Sequence, residues 1–161
     1  MATPQEGWRD FIAGLAPVRE DGLPRFHQAG AGATKEALGR LRFAVSLALP
    51  AGLRGLPAEM NGIYDAPAYL YLVMSVGAII QQNDRAWKSE YAARDAVTIP
   101  FDRLFIFAAR GNGDLFGFPI ENNRVRDDRV FDRDHELEEV TPFSSSRRDF
   151  LARWATTTTS W

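Results

Sequence analysis

Two apolar segments on either side of a glycine-containing turn are the feature that most constrains the fold of this chain. Residues 104–108 are apolar on both alternating faces, which is typical of a central strand covered on both sides. Residues 110–113 form the turn, because their Asn-Gly pair supplies the positive φ angles that tight hairpin turns need. Residues 114–120 return as the partner strand, in which Gly117 indicates a bulge or a close backbone approach. The sequence therefore predicts a buried β-hairpin over residues 105–120.

A phosphate-binding loop is an alternative interpretation of the same glycines. Gly111 and Gly113 match the start of the dinucleotide pattern, but Gly117 comes one residue too late for it. No Gly-Lys-Ser/Thr sequence follows, and a strand follows where a phosphate loop needs a helix N-terminus. The glycines are therefore predicted to be turn and strand residues.

Helix signals lie on the N-terminal side of the hairpin. Thr3 is placed to cap a first helix and Pro17 to end it. Residues 20–33 are rich in Gly, Ala and Pro and predict a loop, after which Thr34 caps a second helix. The apolar stripes of the two helices are Trp8, Phe11, Ile12 and Leu15, and then Leu38, Leu41 and Val45.

The remaining segments predict two more helices, two more strands and a closing helix. Residues 50–60 form a third helix, with a kink or an early break at Pro57. Residues 69–74 suit a strand, residues 75–83 suit a helix, and residues 129–133 suit a further strand. The closing helix is indicated by a capping pair, Ser146 and Asp149, and by the apolar Phe150, Leu151 and Trp154.

Strands thus cluster in the middle of the chain and helices at both ends. This order predicts an α+β fold, in which a central, largely antiparallel sheet has helices packed at the N- and C-terminal ends. The length of 161 residues fits a single domain over residues 1–161.

Composition excludes several function classes. With no cysteine, the chain forms no disulfide and no cysteine-based zinc site. The first ten residues lack the features of a secretory signal, and the longest apolar run, residues 69–80, is shorter than the roughly 20 residues that span a bilayer. We therefore expect a soluble cytoplasmic protein with no membrane partner. The net charge of −2, without basic-aromatic interleaving, predicts no nucleic-acid partner.

Charge is distributed unevenly along the chain. Residues 22–58 hold five basic residues against one acid, and residues 121–139 hold eight acids against four arginines. The acidic stretch is interpreted as a solvated turn, as a protein-facing patch, or as a metal site that uses His135. The candidate partner-binding residues are Asp114, Glu121, Asp127, Asp128, Asp134 and Glu136.

No catalytic constellation is predicted. His27 and His135 are far apart in the sequence, and neither has an identifiable nucleophile. The serines at 144–146 are explained by helix capping, and none lies in a Gly-x-Ser-x-Gly pattern. The sequence therefore predicts no catalytic residue, no metal and no cofactor.

Three stretches together resemble one family. Residues 49–62 are similar to its leucine-proline, short-helix, asparagine-glycine element, and residues 104–118 to its central hairpin. Residues 130–136 resemble a strand that ends in aromatic-Asp-His-Glu, and a Phe-Leu, Trp helix closes the domain. This order resembles the SUKH superfamily over residues 34–155, with residues 1–33 as an N-terminal helix and loop and 156–161 as a tail. Two departures from the pattern are Pro57 in the short helix and an inserted Arg133.

The resemblance implies a non-catalytic protein-binding module. Relatives of this kind include bacterial immunity proteins, which neutralise toxins by direct contact, and fungal regulators of glucan synthesis. The leading hypothesis is therefore an immunity-type protein whose partner is another protein, a cognate toxin. The alternatives are a regulatory or scaffold protein of the glucan-synthesis type, and a small hydrolase or metal enzyme that uses His135 and nearby carboxylates.

Overall fold

The computed structural model describes residues 7–15, 22–23, 25–28, 31–65, 70–88, 99–127 and 129–156. Within these ranges there are five α-helices and eight strands, which confirms the predicted α+β class. The helices are α1 (Trp8–Leu15), α2 (Lys35–Val45), α3 (Ala51–Glu59), α4 (Val76–Lys88) and α5 (Arg147–Thr156). The strands are β1 (Phe26–Gln28), β2 (Ile63–Asp65), β3 (Leu70–Val73), β4 (Leu104–Ala109), β5 (Leu115–Glu121), β6 (Arg124–Val125), β7 (Val130–Arg133) and β8 (Val140–Ser144). Of these helices, none has both the length and the apolar composition needed to cross a membrane.

One sheet organises the described chain, and its strand pairs are antiparallel. The spatial order is β1-β2-β3-β4-β5-β7-β8, with β6 paired to the end of β5. Helices precede and follow the strands in the chain, as predicted, and α2, α3 and α4 are interleaved with the first strands. The hairpin of β4 and β5 therefore lies at the centre of the sheet, as the apolar pattern of residues 104–108 predicted.

The central hairpin is confirmed, and so is its turn over residues 110–113, in which Gly113 N donates to the Arg110 carbonyl at 3.3 Å. Arg110 N donates to the Asp114 carbonyl at 2.8 Å, which leaves three residues, 111–113, between the bonded pair. Gly113 has a φ of 104°, but Asn112 has no positive φ, so the expectation that both residues of the Asn-Gly pair supply one is wrong. Gly117 confirms the close-approach alternative, since an added Cβ would lie 2.5 Å from Leu104 Cγ. The register irregularity lies opposite it, between Ile106 and Ala108 of β4.

An aromatic core joins the hairpin to α5. The rings of Phe107 and Phe118 stack with their centroids 4.4 Å apart, and Phe150 lies edge-on 5.3 Å from Phe107. Trp154 lies edge-on to Phe116 at 5.9 Å. The other face of the hairpin packs Leu104, Ile106, Leu115, Phe131 and Val140. Both faces are thus covered, which accounts for the uninterrupted apolar runs in the sequence.

Helix capping follows the sequence closely. Thr34 Oγ1 accepts from Ala37 N at 3.1 Å, and Ser146 Oγ accepts from Asp149 N at the same distance. The early break expected at Pro57 is wrong, because α3 continues to Glu59. The buried proline lies in the last turn of a short helix, where few backbone bonds remain to be lost.

The loop predicted over residues 20–33 is wrong at residues 26–28, which form β1 against β2. Three residues are too few to show an alternating pattern, and a buried ion pair holds this strand in place. Arg25 donates to both carboxylate oxygens of Asp65 at 3.0 Å, and Trp154 Nε1 donates to the same carboxylate at 2.7 Å. Arg25, one of the five basic residues of the 22–58 stretch, is therefore buried. The predicted signals at Thr3 and Pro17, and residues 157–161 of the tail, lie outside the described residues.

Candidate functional site

The hairpin loop and the β7–β8 connection meet at one end of the sheet around Asp114. The register pairs Leu115 of β5 with Arg133 of β7, which brings the residues on either side together. Asp114 is 4% exposed and accepts from His135 N at 3.1 Å, from His135 Nδ1 at 2.9 Å and from Asn112 Nδ2 at 2.8 Å. Burial opposes ionisation, but these hydrogen bonds and the charge of Arg110 outweigh it and lower the pKa of Asp114 from 3.8 to about 2.

Asp132 shares Arg110 with Asp114 but has a different environment. The guanidinium of Arg110 lies over the Phe116 ring, 2.8 Å from Asp132 Oδ2 and 3.3 Å from Asp114 Oδ2. Burial raises the pKa of Asp132 from 3.8 to about 6, against the charge of Arg110, and the charges of Asp114 and Asp134 add to the rise. Its Oδ1 is buried with no hydrogen-bond partner among the described residues. Arg110 thus contacts two carboxylates, and Asp132 is the one that is protonated first as the pH falls.

Residues 134–139 form a connection that we call the acidic loop. Asp134 Oδ1 accepts from the backbone N–H groups of Glu136 and Leu137 at 2.8 Å each, and Asp134 N donates to the Glu139 carbonyl at 3.0 Å. These bonds close the loop on itself, and the Asp114–His135 contacts fix it to the hairpin. The side chains of Glu136, Leu137 and Glu139 are exposed. The result is an acidic surface with an apolar side chain, Leu137, that is 68% exposed.

Five of the six predicted contact residues are described, and they lie at three separate places. Asp114, Asp134 and Glu136 come together at the acidic loop, where Asp114 is buried and organises the surface. Glu121 lies at the far end of β5 and pairs with two arginines, Arg126 at 3.2 Å and Arg129 at 2.6 Å.

Asp127 faces a different set of neighbours. It lies in a cleft between the starts of α3 and α5, together with Arg147 and Gly52, whose carbonyl accepts from Arg147. A Cβ on Gly52 would lie 2.9 Å from Asp127 Oδ2, so the glycine permits this approach. Burial lowers the pKa of Arg147 to about 10, and the charge of Asp127 opposes that shift. Asp128 lies outside the described residues.

The chemistry available to the cluster is mainly that of hydrogen-bond acceptors. One ligand atom each from Asp114, Asp134 and His135 lies within 4.8 Å of the others, a separation compatible with a metal ion. Asp134 Oδ1 already accepts two backbone N–H groups, however, and Asp114 Oδ1 accepts from both His135 N and His135 Nδ1. A metal ion would have to compete with each of these bonds. The arrangement therefore favours organisation of the loop over metal binding.

Two features of the structure were not predicted from the sequence. Arg110 was assigned to the turn, and no local signal shows that it reaches Asp132, since the contact depends on strand register. Phe43, on α2, is 87% exposed. The helical spacing that buries Leu41 and Val45 leaves position 43 on the opposite face, so a helical projection could have identified it.

A comparison with models of known protein families gives no match to this chain, and a comparison with curated proteins gives none either. The fold class, α+β with an antiparallel sheet, is established by the structure itself. The acidic loop and the resemblance of the sequence segments described above are therefore the basis for a function.

Proposed function

We propose that this chain is a non-catalytic protein-binding module of the SUKH type, an immunity-type protein that binds and neutralises a toxin in the cytoplasm. The observation that carries the proposal is the acidic loop, which is fixed through buried Asp114 while Glu136, Leu137 and Glu139 are exposed. A surface held in one conformation before binding loses less conformational entropy when the complex forms. Fixed carboxylates around an apolar side chain are suited to a basic protein partner.

The charge of the loop indicates the class of toxin. Enzymes that cleave or modify nucleic acids bind phosphates through basic surfaces, and an acidic inhibitor complements such a surface. Charge complementarity of this kind accelerates association and suppresses binding to acidic proteins. The proposed partner is therefore a basic, nucleic-acid-directed toxin.

A neutralisation assay tests this function. The toxin encoded beside the gene for this chain is expressed in a sensitive host, with or without the chain. We expect the chain to restore growth, and Glu136→Lys/Glu139→Lys to lose most of the protection. The control Glu36→Lys/Asp84→Lys makes the same charge change at exposed positions on α2 and α4 and should protect fully. Full protection by the loop variant would exclude the acidic loop as the binding surface.

A second charge-reversal variant, at Asp127 and Asp128, tests the other part of the acidic stretch. Because Asp127 lies in the cleft between α3 and α5, Asp127→Lys/Asp128→Lys changes a different surface from the loop variant. If association of the toxin slows only with this pair, the binding surface is the cleft and not the loop. If neither pair changes association at low salt, neither surface takes part in binding, and the acidic stretch is a solvated one.

The alternatives predict other outcomes. A regulator of the glucan-synthesis type would have no toxin gene beside it and would give no protection. An enzyme built on His135 would bind metal through Asp114, Asp134 and His135, the three residues whose ligand atoms lie close together. Metal analysis of the purified chain, with melting temperatures measured with and without Zn²⁺ or Mn²⁺, distinguishes that case.

A further inference from the structure

Two exposed apolar side chains lie at opposite ends of the sheet. The acidic loop with Leu137 adjoins the first residue of β5, because Leu115 pairs with Arg133. The end of α2, which carries Phe43, adjoins the other end, where Ala48 N donates to the Asn123 carbonyl at 2.9 Å. The 7 residues of β5 between these ends span roughly 20 Å at the usual strand rise. No single partner side chain can contact both positions.

The surroundings of Phe43 have the composition of an interface. We call this region the Phe43 surface, and its residues line a shallow cleft beside the end of α2: Gly39, Arg42, Phe43, Ser46, Leu47 and Ala48. Leu47 is half-buried in the cleft, and Phe43 is 87% exposed beside it. Arg42 is exposed on the same helix and so is Arg40. Aromatic and arginine side chains are the types enriched where protein interfaces gain most of their binding energy.

The two ends are opposite in charge, and each carries one large exposed apolar side chain. The acidic loop has Asp134, Glu136, Glu138 and Glu139 around Leu137, whereas the Phe43 surface has Arg42 next to Phe43 and the cleft, with Arg40 exposed on the same helix. Leu137 projects from a loop that is closed by its own backbone hydrogen bonds, so it can enter a cleft without reordering the loop. The acidic loop therefore has the charge and the apolar side chain that suit the Phe43 surface.

We propose that the acidic loop of one copy docks on the Phe43 surface of a second copy, with Leu137 in the cleft beside Phe43. The contact joins two different surfaces, so it is head to tail, and each added copy leaves one acidic loop and one Phe43 surface available. Association is therefore concentration-dependent and extends beyond a dimer. The proposal does not depend on the proposed function, although self-association would cover the acidic loop and compete with any partner that binds there.

Sedimentation equilibrium of the full chain over a wide concentration range tests this association. We expect the average mass to rise above the 18.0 kDa of one chain as concentration increases, and to fall back when salt is added. Two variants each remove one end: Arg42→Glu/Phe43→Ser and Glu136→Lys/Leu137→Ser. Each should stay monomeric alone, while an equimolar mixture should form a species of two chains and nothing larger. Leu23→Ser, at a side chain that is 52% exposed elsewhere, is the matched control and should associate like the unchanged chain.

The mixture separates this geometry from other kinds of association. A symmetric contact between two Phe43 surfaces would let Glu136→Lys/Leu137→Ser dimerise on its own, and non-specific apolar association would be weakened by Leu23→Ser as well. Either result overturns the proposal, as does an unchanged chain that stays monomeric at every concentration. Because the substituted positions are exposed, melting temperatures should be unchanged, and the salt response of the unchanged chain tests the proposal without any variant.

Discussion

Asp114 and Asp132 lie on either side of one guanidinium group, and the pKa values of their carboxyls move in opposite directions. Asp114 accepts from three N–H groups in addition to its contact with Arg110, so its charged form is stabilised. Asp132 is half-buried with a buried Oδ1, and Arg110 is the one ion-pair partner that its carboxylate contacts among the described residues. The number of donors at each carboxylate therefore determines the direction of its pKa shift.

The raised pKa of Asp132 predicts a distinctive pH dependence of stability. In the native state it binds a proton up to about pH 6, whereas in the unfolded chain it releases that proton near 3.8. Its contribution to the free energy of unfolding is therefore complete below pH 3.8 and is lost as pH rises through 6. We expect urea unfolding of the unchanged chain to lose about 3 kcal/mol over this range relative to Asp132→Asn, in which the side chain cannot ionise.

Asp114 provides the opposite case in the same measurement. Its lowered pKa contributes stability that is present above 3.8 and lost as pH falls toward 2, so its effect lies outside the window of Asp132. Asp114→Asn should therefore keep most of the decline from pH 4 to 6 that Asp132→Asn removes, reduced by the loss of the Asp114 charge, which adds to the raised pKa of Asp132. If both variants show the same decline as the unchanged chain, Asp132 is already ionised at pH 4 and the assignment is wrong.

Loss of the Asp114 carboxylate should also loosen the acidic loop. Asp114→Ala removes the acceptor of His135 N and His135 Nδ1, so we expect a loss of about 3 kcal/mol in the free energy of unfolding. Hydrogen exchange should show that the backbone amide of His135 exchanges faster in this variant than in the unchanged chain. His135→Ala, which keeps the backbone N–H bond, is the control and should leave that amide largely protected. Equal exchange in all three proteins would show that Asp114 does not hold the loop.

At the scale of elements, side chains of α4 form hydrogen bonds with the backbone of β4 where no described strand pairs with it. The register between β3 and β4 consists of one pair, Val73 with Ala108, so no strand among the described residues lies beside the start of β4 on that side. Asn83 replaces the missing peptide: its Oδ1 accepts from Ile106 N at 2.8 Å and its Nδ2 donates to the Ile106 carbonyl at 2.7 Å. Trp87 Nε1 then donates to the Leu104 carbonyl at 3.1 Å. The buried edge is thereby satisfied and closed to other chains.

Replacement of Asn83 should therefore lower the free energy of unfolding strongly, although the side chain is small. Asn83→Leu leaves both polar groups of Ile106 buried without partners, and we expect a loss of about 3 to 5 kcal/mol in the free energy of unfolding. Asn83→Asp keeps the acceptor but points a carboxylate at the Ile106 carbonyl, so it should destabilise more at neutral pH than at acid pH. Gln81→Leu, at an exposed position of α4, is the control and should change stability by less than about 0.5 kcal/mol.

Elements with a long hydrophobic pattern could be predicted from the sequence, and those that depend on pairing with a distant strand could not. Residues 105–120 alternate over a full hairpin, and the helical stripe of α5 extends over two turns, so both were predicted. Four strands were missed: β1, β2 and β6 have two or three residues each, too few for a period to show, and the five-residue β8 contains Pro142, which argues against a strand. The contact between Asp114 and His135 spans 21 residues and exists because β5 pairs with β7, which no local pattern encodes.

At the scale of the whole molecule, one buried carboxylate joins three distant parts of the chain. Asp65, at the end of β2, is fully buried and binds Arg25 before β1 and Trp154 in α5. Arg25 Nη1 also donates to the Ala155 carbonyl at 3.2 Å. The edge of the sheet and the closing helix are therefore connected through charge as well as through aromatic packing. Such a connection requires that β1 and α5 dock together or not at all.

Loss of the Asp65 carboxylate should break this cooperativity. Asp65→Ala leaves the Arg25 guanidinium buried without its carboxylate, so we expect a loss of about 4 kcal/mol in the free energy of unfolding. Arg25→Met/Asp65→Leu removes both charges and should recover much of that loss, because the cost of the single change is mainly an unpaired buried charge. In the unchanged chain, tryptophan fluorescence and far-ultraviolet circular dichroism should give one common unfolding transition. In Asp65→Ala the fluorescence transition should come first, since Trp154 loses its acceptor and α5 its tie to the sheet. Coincident transitions in that variant would show that aromatic packing alone holds α5 in place.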